Sequence, residues 1–70
     1  MRVRVSDPHL VSDLLDFLRG ADCEAIRLGQ NMVAVAIAQP LPYETARMEL
    51  DFRLGEWRAR HADAHAHVVD

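Results

Sequence analysis

Seventy residues, half of them hydrophobic and 27% charged, make a chain long enough for one hydrophobic core and too short for two domains; this composition excludes a disordered or membrane-embedded protein. A net charge of −3 argues against a dedicated nucleic-acid binder, and the eight basic residues, all arginine, point to a GC-rich bacterial coding sequence. Cys23 is the single cysteine, so no disulfide can support a core that a chain this short supplies only marginally, and self-association is left as the supporting device.

Arg2-Val3-Arg4-Val5 alternates polar and β-branched residues and predicts a half-buried strand. Ser6-Asp7-Pro8 then offers an N-cap side chain and a proline at the first helical position, where its missing N–H costs nothing. From Pro8 to Gly20, Leu10, Val11, Leu14, Leu15, Phe17 and Leu18 fall on one face at helical spacing, and Gly20 is the expected C-cap. Glu24 to Leu28 and Met32 to Ala38 flank Gly29-Gln30-Asn31 and read as a hairpin. After the break at Gln39-Pro40-Leu41-Pro42, a long helix is predicted to about His61, supported by Glu49–Arg53 and Glu56–Arg60 pairs four residues apart. Ala64 to Val69 alternates weakly and predicts a last strand, the alternative being a frayed tail.

The order βαββαβ is α+β and fits one ferredoxin-like domain over residues 1–70, a four-stranded antiparallel sheet with two helices on one face. Crossover reasoning further makes the first and third strands central neighbours running parallel. The segment from Met1 to Ser6 has no apolar run of signal length behind it, and Met32 to Ala38 is too short to cross a bilayer. A cytoplasmic protein with no membrane partner is therefore expected.

Two surfaces emerge as candidates for function. On the second helix, Tyr43, Ala46, Leu50, Leu54 and Trp57 form a core stripe, while Met48, Phe52, Gly55 and Ala59 form another on nearly the opposite side, the expected interface of a homodimer. On the sheet, if Val3, Val5, Val33, Val35 and Ile37 face the helices, alternation sends Arg2, Arg4, Arg27, His65 and His67 to the open side around Ala25, Ala34 and Ala36. Guanidinium and imidazole groups over a floor of alanine suit a small anionic ligand.

Nucleic acid is not expected, because Phe17, Tyr43, Phe52 and Trp57 all lie in helical segments and no strand carries a stacking platform. His61, His65 and His67, with the distant His9 and Cys23, lack ligand spacing, so neither metal nor cofactor is expected. No catalytic set is legible: the serines are Ser6 and Ser12, and Cys23 lies between Asp22 and Glu24, which disfavour a thiolate and suggest a buried, inert thiol. The expected function is a non-catalytic interaction or regulatory module acting as a homodimer; the alternative is an anionic-ligand module or small enzyme using the open sheet face.

Overall fold

A computed structural model describes residues 1–69. Strand β1 spans Arg2–Val5, helix α1 Val11–Gly20, strand β2 Cys23–Arg27, strand β3 Met32–Ile37, helix α2 Tyr43–Arg60 and strand β4 Ala66–Val68. The four strands form one sheet in the order β2-β3-β1-β4, and every neighbouring pair is antiparallel. The protein is thus an α+β domain built on a four-stranded antiparallel sheet and two helices.

The expectation that the first and third strands run parallel is overturned, since Arg2 pairs with Ala34 and Val3 with Val33 in antiparallel register. The α1 crossover returns the chain in the direction of β1, and the tight hairpin then reverses it, so β3 enters beside β1 running the opposite way. The last segment does pair: Val3, Arg4 and Val5 face Val68, His67 and Ala66. Beyond the strand end, Ser6 N–H donates to the His65 carbonyl at 2.8 Å, and His65 N–H donates to Ser6 Oγ at 2.9 Å.

One apolar cluster joins the layers. Val3, Val5, Cys23, Ala25, Val33, Val35 and Ala66 from the sheet meet Val11, Leu14, Leu15 and Leu18 of α1 and Leu50, Leu54 and Trp57 of α2, so both helices cover the same sheet face. Trp57 is the largest fully buried side chain, and its indole Nε1–H donates to Asp13 Oδ2 at 2.9 Å, binding α2 to α1. Arginines hold the periphery by donating to strand carbonyls: Arg19 Nε and Nη2 to Ala25 O at 3.1 and 2.8 Å, and Arg58 Nη1 to Ala66 O at 2.6 Å.

Three local expectations are corrected. The Pro8–Leu10 segment forms a tight 3₁₀ turn capped by the Asp7 side chain, and the α-helix proper begins at Val11. Tyr43 is 54% exposed, and no residue from Tyr43 to Glu49 is buried; the first two turns of α2 overhang the core, which its stripe meets only from Leu50.

The third correction concerns the end of α1. Gly20 belongs to the helix, and the left-handed residue that turns the chain into β2 is Asp22, at φ 61°. Aspartate tolerates this region at a steric cost that glycine avoids. Asp22→Gly should therefore raise stability by about 0.5–1 kcal/mol, measured by urea denaturation. Unchanged or lowered stability would show that the Asp22 side chain contributes more than its backbone costs.

Candidate functional site

Strand register decides which side chains share the open face of the sheet. Arg4 lies opposite Met32 on one side and His67 on the other, and Arg2 lies opposite Ala34. The His65 and His67 rings stack at 6.1 Å between centroids, 19° from parallel. Arg4, Ser6, His65, His67 and Val69 line a hollow of about 190 Å³. Arg4, His65 and His67 are exposed, and neither the Arg4 guanidinium nor the two imidazole rings hydrogen-bond to any described residue. Arg2, Arg4, His65 and His67 are thus on the open face, as their alternation implies.

Arg27 is not among them. It pairs with Val33, on the helix-covered side of the β2 edge, and its guanidinium closes the hairpin by donating to Gly29 O at 2.8 Å and Gln30 O at 3.3 Å. Ala25 pairs with Val35 and is buried. The phase of β2 is therefore opposite to the one expected: Cys23 and Ala25 turn to the core, and Glu24 and Ile26 turn outward. Leu28, whose N–H donates to Met32 O at 2.8 Å, continues the outward phase.

That phase gives the open face a second half. Ile26 is 60% and Leu28 51% exposed, beside Met32, Ala34 and Ala36 of β3. A second hollow of about 190 Å³ lies here, lined by Glu24, Ala25, Ile26, Ala34 and Ala36. Ala34 and Ala36 are on this face as their alternation implies, whereas Glu24 and Ile26 stand where Ala25 and Arg27 were expected; the signal in the sequence is that Cys23 and Ala25, two apart, are small enough to pack beneath α1.

His61 stands apart from the His65–His67 pair. Its Nε2 lies 3.1 Å from Asp13 Oδ2, its Nδ1 3.0 Å from the Trp57 carbonyl, and its ring stacks on the Trp57 indole at 4.4 Å. Among the described residues no group of three histidine, cysteine, aspartate or glutamate side chains is placed to hold a metal ion.

On α2 the outer stripe is as expected. Met48 is 72% and Phe52 69% exposed, Ala59 is exposed, and a Cβ added at Gly55 would meet only the tip of Arg58 at 3.8 Å. The stripe is thus two large side chains beside two shallow positions. Arg53 Nη2 reaches Glu49 at 3.8 Å, whereas Arg60 extends over the Phe17 ring, 5.7 Å from its centroid, rather than to Glu56.

Cys23 is buried, with Sγ 3.7 Å from the Ala21 carbonyl. Burial pushes its thiol above the ordinary value; Arg53 opposes the shift, and Asp22 and Glu49 add to it. A thiol raised in the folded state stabilises the fold below its unfolded titration range, and that contribution is lost as pH climbs through the folded value. Alkylation by iodoacetamide at pH 8, followed by mass spectrometry, should be about tenfold or more slower in native protein than in urea. Equal rates would mean that the thiol is reachable in the fold.

No family model matches the chain, and no curated protein and no solved structure is significantly similar to it. No helix among the described residues is long and apolar enough to cross a membrane. Fold and surfaces together define a small two-layer α+β domain with an apolar helix stripe on one side and a half-basic, half-apolar sheet face on the other.

Proposed function

We propose that the protein is a ferredoxin-like, non-catalytic interaction module that works as a homodimer paired through α2. The strand order with β1 and β3 central, both flanked by edge strands reached through helical crossovers, supports the fold assignment. The observation that carries the dimer is the composition of the outer stripe, with Met48 and Phe52 the most exposed large apolar residues of the molecule.

The stripe is self-complementary in one orientation. An antiparallel two-fold pairing centred near Arg53 and Leu54 sets Phe52 over the partner's Gly55 and Met48 over the partner's Ala59, filling each shallow position with a large side chain. The same pairing brings Glu49 towards the partner's Arg60 along one flank and Asp51 towards the partner's Arg58 along the other. A parallel pairing would put Phe52 on Phe52 and leave the glycines facing each other across a gap.

Eighteen residues make a helix about 27 Å long, and one such pair buries less than a standard interface, so dissociation in the range of about 1–100 μM is expected. Light scattering across a concentration series spanning that range should show the mass climbing towards twice that of the chain. A constant monomer mass at the highest concentration would remove the reading. The free, buried Cys23 fits a reducing, cytoplasmic setting.

A second reading, a small-anion site on the open sheet, is favoured by Arg4, His65 and His67 standing together on that face, exposed and with no side-chain hydrogen bond to a described residue. In that case sulfate or phosphate should raise the melting temperature of the wild type and leave that of Arg4→Ala unmoved.

A further inference from the structure

We infer that the open sheet face binds a small amphiphilic monoanion, with its carboxylate or phosphate at Arg4, His65 and His67 and its apolar body lying across the strands towards Ile26 and Leu28. The inference is independent of the α2 pairing, because α2 packs on the other side of the sheet.

The face is divided by strand. β1 and β4 contribute Arg4 and His67, with His65 just before β4, while β3 and β2 contribute Met32, Ala34, Ala36 and Ile26, with Leu28 just after β2. Leu28, Met32, Arg4 and His67 stand in one row perpendicular to the strands, so cation and apolar surface are adjacent along a single line. Neighbouring strands are about 4.8 Å apart, which places the β2 side chains about 10 Å from Arg4.

That distance sets the ligand class. Arg4 can take an anionic head through its planar fork of donors, and the imidazoles add further N–H groups. A head group alone would leave Ile26 and Met32 in water, whereas a medium-length acyl chain or aryl body reaches both and gains from each methylene it buries. Charge also limits the far end: Glu24 stands opposite Ala36 beside the apolar half and repels a second anionic group, so a monoanion is preferred to a long dicarboxylate.

The test is a titration of ¹⁵N-labelled protein with sodium decanoate below its micellar concentration, read by amide shifts. Saturable shifts at Arg4, Met32, Ala34 and His67 are expected, with acetate about tenfold or more weaker and decanedioate weaker than decanoate. Arg4→Ala and Ile26→Asp, both at exposed positions and checked for an unchanged melt, should each weaken decanoate about tenfold. Phe52→Asp should bind it like wild type, which separates this site from the dimer seam.

Acetate equal to decanoate, wild-type affinity in Arg4→Ala, shifts confined to α2, or binding only to anionic vesicles and not to monomeric decanoate would each overturn the inference.

Discussion

Trp57→Ala should abolish the cooperative unfolding transition of this protein. Truncating a fully buried aromatic residue costs about 3–5 kcal/mol through lost transfer energy and the cavity left behind. A domain of this length holds only roughly 4–10 kcal/mol in total. The indole contributes a second loss, because its N–H is the partner of Asp13 Oδ2 and its ring is the surface on which His61 stacks. Removing it takes away the hydrogen bond from α2 to Asp13 of α1 and leaves His61, whose Nε2 lies 3.1 Å from the same carboxylate oxygen, without the ring it stacks on.

Trp57→Phe separates the two contributions. It keeps most of the buried volume and forfeits the hydrogen bond, a net loss of about 0.5–1.5 kcal/mol before repacking, and should fold with a lower urea midpoint. Circular dichroism through a urea series distinguishes the cases. A Trp57→Ala protein that unfolds cooperatively within about 1 kcal/mol of wild type would mean that the core closes over the gap and that Trp57 is not its keystone.

Phe52→Asp should leave the melt of each protomer nearly unchanged while weakening self-association about 30-fold or more. The side chain is 69% exposed, so its replacement opens no cavity. In the proposed antiparallel pairing it is the central anchor and meets the partner's Gly55, the kind of position where truncation carries most of the binding energy. The substitution also puts two unpaired carboxylates near a two-fold axis, adding repulsion to lost burial. Sedimentation equilibrium reads the effect directly. A charge test checks the orientation: Glu49→Arg should weaken the dimer, and Glu49→Arg with Arg60→Glu should restore most of the loss. A dimer indifferent to Phe52→Asp would move the interface elsewhere.

Elements whose information is local were legible in the amino-acid sequence. The alternation of β1 set which face Val3 and Val5 occupy, and periodicity placed Leu14 and Leu18 in the core. On α2, helical geometry alone separated the Leu50–Leu54–Trp57 stripe from Met48, Phe52, Gly55 and Ala59. Each of these follows from spacing along one element, because a helix or strand carries its own period.

What depended on pairing was decided by the tertiary structure. Cys23-Glu24-Ala25-Ile26-Arg27 can bury either set of alternate residues by composition; the register Ala25 to Val35, with α1 overhead, turned Ile26 outward and assigned Arg27 to the hairpin carbonyls. The direction of β3 beside β1 came from the hairpin's reversal after a crossover, a relation between three strands that no one of them encodes. The meeting of Arg4 with His67 joins residues 63 positions apart, and the apolar half beside them exists only in the paired sheet. Faces within an element are fixed by its own repeat, whereas faces shared between elements are set by the strand register that turn geometry and burial against a common core select.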